Sequence, residues 1–117
     1  MAAPSASADG VPDPGVIQDA AATFGQLSAT VRLELLWVLA AGESDVGTLA
    51  DQVGQPVATV SHHLVKLKLA GVVTARRAGR HQVYAIEDPL VIEMVRLAVE
   101  HQEELRQTTP AQQRRRA

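Results

Sequence analysis

Residues 46–86 constrain the fold of this chain more than any other stretch. Two short helical runs meet at Gly54-Gln55, and two β-rich runs, 72–77 and 81–86, meet at Ala78-Gly79-Arg80. Glycine takes positive φ without strain, so each junction can turn tightly. The stretch therefore reads as helix, turn, helix and β-hairpin, that is, a helix-turn-helix with a wing.

Its charge is one-sided. Residues 55–86 hold five Lys or Arg (Lys66, Lys68, Arg76, Arg77, Arg80), three His (His62, His63, His81) and no Asp or Glu, although the whole chain has a formal net charge of −2. A mildly acidic protein that clears acids from one supersecondary unit has set up a local surface for anions. The polyanion that suits a helix together with a hairpin is double-stranded DNA.

The remainder supports one domain. A length of 117 residues and an apolar content of 46% suffice for a packed core. With aromatics at 3%, that core must be mainly Leu, Val, Ile and Ala, which suits packed helices. Residues 1–15 (MAAPSASADGVPDPG) are rich in Ala, Ser, Pro and Gly and are expected to be disordered. The polar tail 107–117, with Arg114-Arg115-Arg116, is expected to be disordered as well. Residues 16–106 are then the folded part.

Within it, 16–27 reads as a first helix. Ser28 is placed to cap a second, whose stripe is Val31, Leu35, Leu36, Val38 and Leu39 and whose stop is Gly42; Trp37 is expected in the core. Asp45 caps a third helix that ends at Gly54. Pro56 opens a fourth at a first-turn position, and Gly71 stops it. Asp88 caps a last helix that starts with Pro89 and carries Leu90, Val91, Met94, Val95, Ala98 and Leu105. The expected fold is mainly α with a β-hairpin wing, in the order α-α-α-α-β-β-α.

Several function classes fall away. The absence of cysteine excludes disulfides and thiolate metal sites. The N-terminus lacks a signal-peptide pattern, and the best apolar run, 35–41, is too short to span a bilayer, so a cytoplasmic protein without a membrane partner is expected. There is no Gly-rich phosphate loop, no His-Glu-x-x-His and no nucleophile with a positioned base, so no enzyme is expected. Ser61 and His62 are adjacent, but adjacent helix residues point in different directions.

The segment 49–73, LADQVGQPVATVSHHLVKLKLAGVV, places Ala50, Val53, Val60, Leu64 and Leu67 on an inner face. Thr59, Ser61, His62, His63 and Lys66 fall on the other faces. Short hydroxyl and imidazole groups near a helix start reach base edges without clashing with the groove, and Lys66 suits a phosphate. With Val57 and Ala58 of the first turn, these are the candidate DNA contacts. Arg76, Arg77, Arg80 and His81 put charge on the wing, and Tyr84 is expected to pack the hairpin.

At these residues the chain resembles the ArsR/SmtB family of winged-helix regulators. The matching pieces are ATVRLELLWVL (29–39), VGTLADQVGQPVATVSHHLVKLKLAGVV (46–73) and RRAGRHQVYAI (76–86), and the likeness covers roughly residues 20–105. It implies a homodimer joined through the first and last helices, with Leu90, Met94, Ala98 and Leu105 at the interface. It also implies two recognition helices on an inverted-repeat operator and an inducer that alters the reading.

Many members of that family bind a metal. One of their sites lies along the last helix and resembles Asp-x-His followed by His-x-x-His; here those positions are Asp88, Leu90, His101 and Glu104. Asp88 and His101 are thirteen residues apart, about 20 Å on one helix, so they can share an ion only between two antiparallel chains. Nitrogen and oxygen donors without sulfur favour Ni(II), Co(II) or Zn(II). Against this stand a metal-independent regulator acting with a partner protein and a winged-helix protein-interaction module. Steep salt dependence of DNA binding would separate the last of these from a DNA regulator.

Overall fold

The computed structural model describes residues 10–108. Its elements are α1 (Pro14–Leu27), α2 (Thr30–Ala41), β1 (Ser44–Asp45), α3 (Val46–Val53), α4 (Val57–Leu69), β2 (Thr74–Ala78), β3 (His81–Ala85) and α5 (Pro89–Arg106). The expected order is present with one addition, the two-residue strand β1.

Most boundaries follow from capping chemistry. The Asp45 carboxylate accepts from the Thr48 amide at 2.8 Å and starts α3; Asp88 does the same for Leu90 at 2.9 Å and starts α5. Gly54 ends α3 in the left-handed region (φ 66°, ψ 37°), which turns the chain into α4 within three residues. The first hairpin strand runs over Thr74–Ala78 rather than 72–77, because Ala78 pairs with His81, and three helix starts differ from expectation. α1 begins at Pro14, inside the segment expected to be disordered, because Asp13 caps the Gly15 amide at 2.7 Å and Pro14 suits the first turn. Ser28 does not cap α2; its hydroxyl donates back to the Gly25 carbonyl at 2.9 Å and closes α1, while Ala29 opens α2 without a side-chain cap. Pro56 is the N-cap of α4 itself, one position before the helix. The expected tail is ordered at its first two residues, where Gln107 caps α5 and the Thr108 hydroxyl donates to the Leu105 carbonyl. The rest of that expectation, 1–9 and 109–117, lies outside the described residues.

The core centres on α2. Leu35, Leu36 and Leu39 meet Leu49 and Ala50 of α3, Val60, Leu64 and Leu67 of α4, and Val91 and Val95 of α5. Tyr84 and Ile86 of the hairpin strand and its exit close one side. Among the described residues no polar side chain is buried. Trp37 corrects the expectation made for it: it is 39% exposed. At 100° per residue it lies about 155° from the middle of the Leu35–Leu36–Leu39 stripe, on the far side of α2.

The sheet order is β1-β3-β2, antiparallel throughout. Ala78 pairs with His81 across a two-residue Gly79-Arg80 loop, and Gly79 takes the positive φ of 63°. β1 joins the outer edge of β3 through Ser44 opposite Tyr84 and Asp45 opposite Val83. This pairing fixes the wing to the start of α3. No helix among the described residues is long and apolar enough to cross a membrane.

Candidate nucleic-acid interface

α4 is buried along one face only. Val60, Leu64 and Leu67 are fully buried, and a 100° step puts Ala58, His62, Val65, Lys66 and Leu69 on the opposite face. All five are exposed. Val57 and Lys68, both exposed, and the half-buried Ser61 lie on one flank; the half-buried Thr59 and His63 lie on the other. No side chain caps the N-terminus of α4, no acid sits in its first turn, and Lys66 and Lys68 stand in its last. The helix thus offers free amides at one end and ammonium groups at the other, both suited to phosphate.

His63 parts from the rest of this set. Its Nδ1 accepts from Arg32 Nε at 3.2 Å, and Arg32 Nη1 donates to Gln26 Oε1 at 2.8 Å. Burial pushes the His63 imidazole below its ordinary pKa, and the charges of Arg32, His62 and Lys66 push the same way. His63 is therefore a neutral acceptor directed into the protein, while His62, its ring 5.9 Å away and nearly edge-on, faces solvent.

The wing divides its arginines. Strand alternation places Ala75 and Arg77 with the buried Tyr84, and Arg76 and Ala78 with Val83 and His81 on the other side. Arg76 forms an ion pair with Glu43, which precedes β1. The acid-free run in sequence thus acquires an acid in space, brought in by β1. Asp45, one strand over from Val83, is held below the usual carboxylate range by its hydrogen bond from Thr48, helped by the charge of His81. Arg77 and Arg80 are exposed.

α5 carries two apolar faces. Val91 and Val95 enter the core, whereas Leu90, Leu97 and Ala98 are exposed and Met94 and Leu105 are half-buried. His101 and Glu104 are exposed on the same outer stripe as Leu90 and Leu97. His101 borders a groove of about 480 Å³ with Leu33, Ala98, Val99 and Arg106. Within one protomer, Asp88, His101 and Glu104 are not brought together; no group of three His, Asp or Glu able to hold a metal ion occurs among the described residues. α1 repeats the outward pattern, with Ile17 and Phe24 exposed and Leu27 alone buried. Sequence reasoning missed Arg32, Glu43, Leu97 and Phe24. Arg32 and Glu43 owe their places to His63 and Arg76, each more than thirty residues distant, and Leu97 and Phe24 were not singled out from the apolar residues of their helices.

Residues 30–75 match the family described as bacterial regulatory protein, arsR family. The chain is 38% identical over 91 residues to the HTH-type transcriptional repressor SmtB of Mycobacterium tuberculosis, covering 77% of this chain and 67% of that one. It is 42% identical over 72 residues to the HTH-type transcriptional regulator KmtR of the same species, a match spanning 62% of this chain and 55% of KmtR. Among solved structures it resembles the AntR antimony-specific transcriptional repressor (TM-score 0.78, 30% identity, 92% of this chain and 98% of that one). It also resembles the homodimeric winged helix-turn-helix DNA-binding domain Mb0332 of Mycobacterium bovis (TM-score 0.69, 32% identity, 77% of this chain and 83% of that one).

Proposed function

Because the chain belongs to the arsR family of bacterial regulatory proteins, we propose that this DNA-binding transcriptional regulator acts as a homodimeric repressor on an inverted-repeat operator. The observation that carries the reading is α4. One face is wholly committed to the core, and the opposite face presents Ala58, His62 and Lys66 beside the exposed Arg77 and Arg80 of the wing. A helix of that character enters the major groove while a charged hairpin meets the backbone beside it. Outward apolar faces on α1 and α5 support pairing of two such units, and Mb0332, the similar domain, is homodimeric.

The test is to select duplexes from a randomised library and titrate the winner and a scrambled control at several salt concentrations. His62→Ala is expected to relax base preference, while Lys66→Ala is expected to weaken binding to both duplexes and lower the salt slope by about 1.8, one contact from each protomer. Equal behaviour of both variants and the parent would remove α4 from the interface.

For the effector we propose a divalent ion, Ni(II), Zn(II) or Co(II), between two copies of α5. Asp88 at one end of the helix and His101 and Glu104 at the other fit such an ion only when two helices run antiparallel, since one protomer does not bring them together. The ion would supply a charged cross-link between protomers, changing the spacing of the recognition helices. Leu90, an apolar residue 61% exposed, stands where the family resemblance implies a ligand, so Glu104 would complete the donor set. Calorimetric titration with each ion should show about one ion per protomer in the parent and none in His101→Ala. No binding, or binding indifferent to His101, overturns the metal reading and leaves the DNA reading intact.

A further inference from the structure

Gln26, Arg32 and His63 sit on α1, α2 and α4 and form one hydrogen-bonded chain, with Arg32 donating at both ends. Among the described residues, Arg32 to His63 is the side-chain hydrogen bond that ties α4 to another helix. The other ties of α4 are apolar. Val60, Leu64 and Leu67 hold it on the core, but hydrophobic contact is non-directional and does not by itself single out one roll to the tolerance of a hydrogen bond. A roll of about 20° moves a side-chain tip at 5–6 Å from the helix axis by roughly 2 Å, more than a hydrogen bond to a base edge tolerates. A directional bond is what fixes roll.

We propose that Arg32 is a positioning residue for DNA reading: through His63 it sets the roll of α4, and through Gln26 it ties that roll to α1. His63 is adjacent to His62 and one turn before Lys66, so the anchor and the outward residues share one rigid turn. Because Nδ1 accepts from a guanidinium, the imidazole is neutral with its proton on Nε2. Gln26 is next to Leu27, the buried residue of α1, so movement of α1 relative to α2 reaches α4 through a single side chain. The proposal rests on the DNA-binding reading and adds to it a residue that touches no DNA.

The experiment uses the full chain and the library-selected duplex, with the ratio of selected to scrambled affinity as the readout. Arg32→Ala and His63→Ala are each expected to lower that ratio roughly tenfold, the scale of one hydrogen bond to a charged group. Neither should change the salt slope, and the double variant should be no worse than either single one. His63→Asn, which keeps an acceptor where Nδ1 stands, should stay within about threefold of the parent. Nitrogen-15 spectra should show an unprotonated Nδ1 on His63 in the parent and lose that state's bias in Arg32→Ala. Additive losses, an unchanged ratio, a changed salt slope in Arg32→Ala, or His63→Asn failing as badly as His63→Ala would each overturn positioning by Arg32. A parent that selects no duplex overturns the DNA reading and the positioning role together, whereas an Arg32→Ala protein that reads the selected duplex normally overturns positioning alone.

Discussion

Replacing Glu43 with Gln should tighten DNA binding, and the structure sets the size of the gain. Glu43 is paired with Arg76, and the two side chains remain 48% and 60% exposed. An ion pair so open to water contributes at most about 1 kcal/mol to stability, so the fold should hardly notice its loss. DNA binding should notice. A wing arginine released from its acid can neutralise one more phosphate in each protomer, two per dimer, which steepens the dependence of log affinity on log salt by about 1.8. Across a fourfold span, from about 50 to 200 mM salt, that slope corresponds to roughly a 12-fold change. The advantage of Glu43→Gln over the parent should therefore be about 12 times larger at the low-salt end. Fluorescence anisotropy with a labelled duplex at three salt concentrations measures it, with Arg80→Ala as the reference for losing one contact per protomer. Coincident slopes for Glu43→Gln and the parent, with a shifted slope for Arg80→Ala, would show that Arg76 does not face the phosphates. Weaker binding by Glu43→Gln would show that the pair aims Arg76 at DNA, the reverse of the reasoning.

Three further outcomes are expected. Gly54→Ala meets no atom within 4 Å of the added Cβ, so its cost is the left-handed backbone alone; that is about 1 kcal/mol after the unfolded-state gain, readable by urea titration, and a loss above about 3 kcal/mol would reveal a missed clash. Met94→Glu should dissociate the dimer in sedimentation and weaken binding to the selected duplex in parallel, and a variant that stays dimeric would take Met94 out of the interface. His63 binds a proton less readily folded than unfolded, because of burial and then of Arg32, His62 and Lys66. Stability should therefore be complete above about pH 6.5 and decline as pH falls below it, levelling once the folded imidazole is itself protonated. His63→Asn should remove that component, and an identical pH profile in parent and variant would refute it.

Elements set by short-range chemistry were legible in the sequence. Asp45, Gly54, Asp88 and Pro89 act on neighbours two or three residues away, and the α4 inner face follows from a 3.6-residue period. What escaped depended on distant partners or on residue identity overriding geometry. β1 is two residues long, too short to show alternation, and exists because β3 offers an edge. Trp37 looked like core because tryptophan is apolar, although the period of its own helix already placed it outside. Arg76 and Arg77 looked like one basic pair, yet successive strand residues face opposite ways. His63 looked equivalent to His62 until Arg32, thirty-one residues earlier, claimed its Nδ1. The sequence carried the helix-turn-helix and the buried face of α4; the division of labour between the two histidines needed the third dimension.

The sparse burial of α1 has a consequence for how the protein behaves when scarce. With Leu27 as its buried residue and Ile17 and Phe24 in solvent, this helix gains little from its own protomer, and a short helix without packing frays in water. In the proposed homodimer its order is supplied by association, and association follows mass action. Dilution would loosen α1 before anything else, and Gln26 sits on it. Thermal midpoints should then rise with protein concentration, and a cell holding few copies would contain chains whose reading head is intact but whose first helix is not yet set.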